Sequence, residues 1–364
     1  MKNILFSAYS MDVGGIETAL ITLLKKINKL YNITLVLEKK EGIFLKDLPE
    51  NINVITYKPS VNKNIFLRKF SNFFKKQKFK IKYKNKFDFA GSFATYSYAS
   101  SFVARTASKN SCLWVHNDYL NFYNGKEKDY IEFFKKLKVN KFQKIIFVSR
   151  NDRSVFVEKL SRLAEKCVFC NNLIDYNKIL EKSKEKIEDI NKIENNATFI
   201  NIGRHDEKQK RLSRIINATK RLNNEGYKFN VIFVGDGKDN NSYQEQAKNI
   251  SNISFVGTKK NPYPYLAQSD CLIMSSDYEG YPVVFIESQI LGKPIITTDV
   301  SDSKEDIENK FGIVVEKSEE GIYMGMKQFL DKGFVSQKFD PEKYNEEILI
   351  KLNIIINEGK GFYD

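Results

Sequence analysis

The stretch of residues 271–298 constrains the fold more than any other part of the sequence. It begins and ends with a short apolar run of the length of a buried strand. Between these runs, a polar turn leads into a helical pattern that begins near Pro282 and stops at Gly292. Proline suits a first helical turn because its missing N–H would have no partner there. The stretch therefore predicts a strand–helix–strand unit, the repeating element of a doubly wound parallel sheet.

Two carboxylates lie eight positions apart in this stretch, Glu279 on the turn and Glu287 two turns into the helix. Because of that separation, we expect that they do not pair with the same cation. A strand end, a glycine turn and a helix start together suit an anionic ligand. From the residues alone a simpler reading stays open, in which one acid interacts with the helix dipole and the other is a surface carboxylate.

The sequence Glu-Gly-Tyr-Pro-Val-Val-Phe-Ile-Glu-Ser from Glu279 onward resembles the E-x7-E motif of retaining family-4 glycosyltransferases of the GT-B fold. The resemblance implies an α/β chain with two Rossmann-like, doubly wound domains facing each other across a cleft. It also implies that Glu279 contacts the donor sugar, that Glu287 contacts the nucleotide ribose, and that the donor is held by the backbone of Gly280, Tyr281, Pro282 and Val283.

The length of 364 residues allows two domains of ordinary size. We predict an N-terminal acceptor domain at 1–176, a nucleotide-sugar donor domain at 177–340, and a final helix in 341–364 that packs back across the domain boundary. Residues 176–196 are charged and lack a strand pattern, so they are predicted to be a linker or an exposed helix. No run approaches 18 apolar residues, and the first residues are a poor secretion signal. We expect a cytoplasmic protein.

The sequence contains few residue patterns that indicate metal binding or redox chemistry. Four cysteines are too few for a disulfide framework, and Cys167 and Cys170 form a lone pair within an apolar run. Only two histidines are present, and no Asp-x-Asp occurs. We therefore expect no cofactor and no metal ion, with the nucleotide-sugar acting as a substrate.

Two features of the N-terminal half match the same family. Gly14 and Gly15 follow a predicted first strand, and glycine lets a backbone approach a ligand closely. The resemblance places Gly15 against the donor phosphates and the acceptor. His116 follows another predicted strand, and the family has a histidine near the donor sugar at this point. A lone histidine is more often structural, so both readings stay open.

The predicted second domain opens with a strand that ends at Gly203 and Arg204. Lysines follow a few residues later, and permanent cations beside a helix start suit a diphosphate. Lys210 is the best match to the family lysine, although a loop one residue longer keeps Lys208 as an alternative. Thr258 follows the strand whose loop holds the base in relatives.

Positive charge is concentrated in the first half of the chain. Residues 1–180 contain 33 Lys and Arg against 15 Asp and Glu, a charge of +18, which leaves 26 and 30, or −4, for the rest. Residues 63–86 carry ten basic residues, no acidic one and several aromatics. This pattern fits a solvated amphipathic helix, an anionic membrane surface or a phosphate-bearing acceptor. No recognition motif for nucleic acid accompanies it. The proposed contact residues are Arg68, Lys69, Phe73, Phe74, Lys75 and Lys76.

Taken with the resemblance, these features predict a retaining, metal-independent glycosyltransferase. We expect a UDP-sugar donor, a glycan or lipid-linked glycan acceptor in bacterial surface-polysaccharide synthesis, and a peripheral position at the inner face of the cell membrane. Partner glycosyltransferases are possible. The predicted catalytic residues are Glu279, His116, Arg204 and Lys210. Two alternatives stay open, a catalytically silent partner protein and a nucleotide-sugar epimerase of the same fold.

Overall fold

The computed structural model describes residues 1–12, 14–187 and 196–357. The chain divides into two compact units, one comprising Met1–Ile174 and Lys343–Asp364 and the other Asp175–Glu342. The sequence placed the domain boundaries at 176 and 340, within two residues of these divisions. Each unit is built around its own parallel sheet.

The first unit has a seven-stranded sheet in the order β3-β2-β1-β4-β5-β6-β7, with every pair parallel. Its strands are β1 (Lys2–Ala8), β2 (Tyr31–Leu37), β3 (Asn53–Thr56), β4 (Phe89–Ser92), β5 (Ser111–Val115), β6 (Lys144–Phe147) and β7 (Cys167–Phe169). Its helices are α1 (Gly15–Ile27), α2 (Ile65–Tyr83), α3 (Tyr98–Ala107), α4 (Tyr119–Phe122), α5 (Glu127–Lys136) and α6 (Arg150–Lys159).

The second unit has a six-stranded parallel sheet in the order β10-β9-β8-β11-β12-β13. Its strands are β8 (Ala197–Ile202), β9 (Phe229–Val234), β10 (Ile253–Gly257), β11 (Cys271–Met274), β12 (Ile295–Thr298) and β13 (Gly312–Val315). Its helices are α7 (Tyr176–Lys182), α8 (Leu212–Asn224), α9 (Asn240–Ala247), α10 (Tyr263–Gln268), α11 (Val283–Ile290), α12 (Ser303–Asp306) and α13 (Glu319–Lys332).

The apolar core lies on both faces of each sheet. Along β1, Ile4 and Phe6 pack with α1 in one cluster, while Leu5 between them packs with α3 and α5 in another. This alternation is what a strand buried on both faces requires. The prediction of a two-sheet, doubly wound α/β fold is confirmed.

The last described helix, α14 (Pro341–Asn357), contributes to the core of the first unit. Ile348, Leu352 and Ile355 join the same cluster as the strand residue Ile4. The Asn345 side chain accepts from the Ile174 N–H at 3.0 Å and donates to its carbonyl at 2.8 Å. The helix therefore completes the first unit, although it follows the second in the chain.

Two predicted segments can be placed on the observed elements. The segment 176–196, predicted to be a linker or an exposed helix, begins with helix α7, and residues 188–195 lie outside the described residues. The helix predicted to begin near Pro282 and to stop at Gly292 begins at Val283, with Pro282 as the residue that precedes its first turn. The φ angle of Pro282, −66°, suits both positions, which is why sequence alone does not separate them.

Candidate functional site

Two loops of the second unit meet at the carboxyl edge of its sheet. One follows β8 and spans residues 203–211; the other follows β11 and spans residues 275–282. Because β8 and β11 are neighbours at the point where strand order reverses, their loops leave the sheet side by side. The Asp277 N–H donates to the Gln209 carbonyl at 2.8 Å, and the Ser275 hydroxyl donates to the Lys210 carbonyl at 2.8 Å.

An ion pair between Lys210 and Glu279 joins these loops. The Lys210 Nζ lies 2.6 Å from Glu279 Oε1, and both side chains are largely shielded from solvent. A charge-assisted hydrogen bond this short and this sheltered is stronger than a surface pair. The site therefore contains a positive and a negative group held in one place.

Gln209 extends the pair to Arg204. The Arg204 Nη2 donates to Gln209 Oε1 at 3.0 Å, while Gln209 Nε2 donates to the Tyr278 carbonyl at 3.1 Å and lies 3.4 Å from Glu279 Oε2. Gln209 is buried and Arg204 is exposed. The sequence interpretation missed Gln209; its only signal was its position beside Lys210.

The loop that follows β9 approaches the loop 203–211 so closely that only glycine fits at the point of contact. Gly235 follows β9 with φ of +146°, and a Cβ there would lie 1.8 Å from the Gly203 carbonyl oxygen. A Cβ on Gly203 would lie 3.6 Å from Lys210 Cε, an ordinary contact. The lysine side chain thus runs beside Gly203, and Gly235 closes the other side of the loop.

Asp277 fixes the turn from which Glu279 projects. Its Oδ2 accepts from Arg211 Nε at 2.7 Å, and its Oδ1 lies 2.7 Å from Arg214 Nη1. Arg214 also donates to the Ser275 carbonyl at 2.9 Å. These contacts connect the β11 loop to the start of α8. No local pattern signals these contacts, since the partners are more than sixty positions apart.

Glu287 occupies the second turn of α11 and is buried. Its Oε1 accepts a hydrogen bond from the Tyr263 phenol at 3.3 Å. Burial raises the pKa of Glu287 to about 7, and the Tyr263 hydrogen bond acts in the opposite direction. The two carboxylates have different partners, as their separation predicted. Tyr263 was not among the predicted site residues.

The remaining predicted donor residues lie on the same edge of this unit. Gly280, Tyr281 and Pro282 are buried, and Val283 begins α11. The first N–H groups of a helix have no partner within it, so they are available to an anion. Thr258 is exposed directly after β10. Lys208, the alternative to Lys210, is exposed at the outside of its loop.

The predicted residues of the first unit lie at the carboxyl edge of the first sheet. Gly15 is the first residue of α1, which follows β1, and Gly14 precedes it in extended conformation. His116 follows β5; it is buried, with its ring 4.6 Å from that of Phe93. Its Nε2 has no hydrogen-bond partner in the described part of the chain. Burial lowers the pKa of His116 to about 3, so the imidazole is neutral at physiological pH.

Helix α2 carries the predicted acceptor or membrane residues. It packs on the first unit through Phe79, whose ring contacts those of Tyr57 and Phe102. Four other phenylalanines of this helix are each more than half exposed: Phe66, Phe70, Phe73 and Phe74. At 3.6 residues per turn these four share the side of the helix opposite Phe79. The basic residues Arg68, Lys69, Lys75 and Lys76 are also exposed.

Two further properties concern the described residues alone. In residues 1–12, 14–187 and 196–357, no group of three or more His, Cys, Asp or Glu side chains is arranged to hold a metal ion. In the same ranges, no helix combines the length and the apolar character needed to cross a bilayer.

Residues 182–346 match the family model described as "Glycosyl transferases group 1". The matched region is a little under half of the chain and lies almost wholly in the second unit, so this part of the chain is similar to the group 1 family. The matched region contains both loops of the site together with Tyr263 and Glu287, so the family signal and the polar network coincide.

The chain is similar to curated proteins from several organisms. It is 29% identical over 245 residues to an uncharacterized glycosyltransferase of Methanocaldococcus jannaschii, a match that spans 66% of this chain and 60% of that relative. It is 24% identical over 350 residues to the O-antigen biosynthesis glycosyltransferase WbnH of Escherichia coli, spanning 96% of this chain and 94% of WbnH.

Solved structures share the fold at low identity. HepE from Anabaena, in complex with UDP and glucose, aligns with a TM-score of 0.75 at 18% identity and covers 97% of this chain and 100% of its own. A TarM variant from S. aureus aligns with a TM-score of 0.76 at 12% identity over 98% of this chain and 100% of its own. These neighbours are GT-B glycosyltransferases, which confirms the predicted fold class.

Proposed function

We propose that this group 1 glycosyltransferase moves a sugar from a nucleoside-diphosphate sugar, a UDP-sugar, to a glycan or lipid-linked glycan. The observation that carries the proposal is the 2.6 Å contact between Lys210 Nζ and Glu279 Oε1, linked through Gln209 to Arg204. This arrangement sets cations for a diphosphate beside a carboxylate that accepts hydrogen bonds from sugar hydroxyls.

Each group has a distinct part in the proposed reaction. Cleavage of the anomeric bond develops negative charge on the diphosphate, and Arg204, Lys210 and the N–H groups at the start of α11 stabilise that charge. Glu279 orients the sugar, and Glu287 accepts hydrogen bonds from the ribose. In this proposal Arg204 and Lys210 stabilise the diphosphate in place of a metal ion. We therefore expect the donor to bind in the presence of EDTA.

The proposal includes retention of anomeric configuration. The acceptor attacks from the face that the diphosphate leaves, and the departing phosphate takes the acceptor proton. His116 is neutral at physiological pH, so its part is to hydrogen-bond sugar or acceptor hydroxyls rather than to supply a charge. Gly15 lies at the start of α1 and contributes backbone close to the phosphates.

Calorimetric titration with UDP, GDP and ADP in EDTA tests the donor site. We expect one nucleotide, UDP, to bind and the Lys210→Ala substitution to weaken that binding at least tenfold, because a cation at the diphosphate is lost. Lys208→Ala is the matched control and should leave affinity within about twofold. If the Lys208 variant is the weakened one, the roles of the two lysines are reversed. If no nucleotide binds, the donor proposal is wrong.

Support for the acceptor class comes from the names of relatives. WbnH of E. coli is named for O-antigen biosynthesis, and CapM of Staphylococcus aureus, 23% identical over 209 residues, for capsular polysaccharide biosynthesis. We propose that this protein likewise extends a bacterial surface polysaccharide, alone or beside partner glycosyltransferases. NMR of the product's anomeric proton would test retention.

We also propose that α2 holds the enzyme at the cytoplasmic face of an anionic membrane. The four exposed phenylalanines face away from the side that packs on the unit, and the same helix carries exposed basic residues. A helix with this arrangement inserts its rings at the headgroup boundary while its cations contact acidic lipids. A phosphate-bearing acceptor would use the same cations without needing the exposed rings.

Two alternatives make different predictions. A silent partner protein would bind no donor, although Glu279, Glu287, Arg204 and Lys210 are all present here. An epimerase would release free sugar or an epimerised product from the nucleotide-sugar without an acceptor. Product analysis with and without acceptor separates both alternatives from a transferase.

A further inference from the structure

Tyr263 is the first residue of α10, and its backbone is constrained on both sides. It lies between Pro262 and Pro264, whose rings fix the backbone on either side. Its N–H donates to Asn261 Oδ1 at 3.2 Å, and Asn261 Nδ2 in turn donates to the Lys182 carbonyl at 2.9 Å and to Glu185 Oε2 at 2.8 Å. The backbone that carries the phenol is thereby held in one place.

That place is beside Glu287. The Tyr263 hydroxyl lies 3.3 Å from Glu287 Oε1, longer than the about 2.7–2.8 Å that is usual for a hydroxyl donor. A carboxylate offers roughly four acceptor positions, so one long bond leaves capacity for a ligand's hydroxyl groups. Around this pair, α10 contributes Tyr263 itself, and α7 contributes Asp175, whose negative charge acts on the Tyr263 phenol.

We propose that Tyr263 is a positioning residue of the nucleotide site, which keeps Glu287 ionised and turned toward the ribose of the donor. The inference rests on the proposed function, because it assumes that Glu287 accepts hydrogen bonds from ribose hydroxyls. It adds a residue outside the E-x7-E motif, from a helix that precedes the motif in the chain.

The proposal depends on which protonation state of Glu287 binds the ribose hydroxyls better. An ionised carboxylate accepts from two hydroxyls, whereas a protonated one has lost acceptor capacity and must donate its own proton. Burial favours the protonated form of Glu287, and the Tyr263 phenol, as a donor, favours the ionised form. Nucleotide affinity should therefore rise with pH near neutrality, and loss of the phenol should move that rise to higher pH.

The test is calorimetric titration of the full-length protein with UDP from about pH 6 to about pH 9. The variants are Tyr263→Phe and Glu287→Gln, and the control is Tyr227→Phe, which removes a phenol bonded to Asp331 elsewhere in the second unit. In Glu287→Gln this carboxyl group no longer titrates, whereas the phosphates of the nucleotide still do. The pH dependence of UDP affinity measured for this variant is therefore the baseline for the wild type and the other variants.

We expect Tyr263→Phe to weaken UDP binding about three- to tenfold at pH 7 and to approach wild type at pH 9, where Glu287 is ionised without help. Tyr227→Phe should follow the wild-type profile. An equal loss at every pH, or none, would overturn the inference, because a merely structural tyrosine would not move the midpoint. Failure of the wild type to bind any nucleotide would instead overturn the proposed function.

Discussion

The paired loops of the second unit and helix α2 of the first unit use charge in opposite ways. In the loops, Lys210 pairs with Glu279, and Asp277 pairs with Arg211 and Arg214. In α2 no acidic residue is available within its segment. Its cations contact other groups: Lys75 donates to the Lys58 carbonyl, Lys76 lies over the Phe102 ring and Lys82 over the Tyr83 ring.

The difference shows what each region can recognise. Charges that are fixed by partners and shielded from water have defined positions, so they suit a small ligand that binds in one orientation. Charges on long, exposed side chains have no single geometry, and they suit an extended anionic surface. Four experiments test this contrast, beginning with the one for which we expect the largest effect.

Substitution Glu279→Gln should lower kcat about a thousandfold, equivalent to about 4 kcal/mol. The amide keeps the shape but loses the charge that holds Lys210 and the sugar. Steady-state kinetics with a UDP-sugar provides the measurement, and Glu305→Gln, an acid in α12, is the control. A loss below tenfold would mean that the buried pair is structural and that the contrast with α2 does not concern catalysis.

Two phenylalanines of the same helix should differ sharply in stability. Phe79→Ala should lower the free energy of unfolding by about 3 kcal/mol, because a buried ring leaves a cavity beside Tyr57 and Phe102. Phe73→Ala should change it by less than about 0.5 kcal/mol. Urea unfolding followed by circular dichroism measures both. Equal losses would show that Phe73 is buried in solution, contrary to its exposure here.

Charge reversal on α2 tests the membrane proposal. Arg68→Glu combined with Lys69→Glu should weaken binding to phosphatidylserine-containing vesicles about thirtyfold, since each basic residue contributes about 1 kcal/mol at such a surface. Lys220→Glu with Lys332→Glu changes the same net charge in the second unit and should have little effect. Sedimentation with vesicles is the assay. If both pairs weaken binding alike, attraction depends on net charge and not on α2.

The smallest expected effect is a pH-dependent gain in stability from Glu287→Gln. Burial disfavours the ionised form, so the pKa of Glu287 is about 7 in the folded protein against an ordinary 4.5. The contribution of this group to the free energy of unfolding is therefore fully present below pH 4.5 and is lost as pH rises through 7. We expect the variant to be about 1–2 kcal/mol more stable than wild type at pH 8, and the difference to shrink toward pH 5. Thermal unfolding at both pH values measures it. A difference independent of pH would contradict the burial of an ionisable group.

Local patterns predicted much of this molecule from sequence. The strand–helix–strand unit within 271–298 and the final helix within 341–364 are both present, because each coincides with an apolar pattern that a turn or a proline interrupts. Helix α2 lies within the predicted basic segment for the same reason. Such features depend on neighbours in the chain, which the sequence displays directly.

The fold class, the two carboxylates and the basic helix follow from the sequence alone. The contacts of Lys210 with Glu279, of Gln209 with Arg204 and Glu279, and of Tyr263 with Glu287 emerge only in the folded chain. Lys210 and Glu279 are 69 positions apart, and Tyr263 and Glu287 are 24 positions apart. Such partners meet because parallel strands bring their carboxyl ends to one edge, and many partner choices fit the same local pattern. The packing of α14 on the first unit was settled in the same way, since an amphipathic helix fits more than one apolar surface.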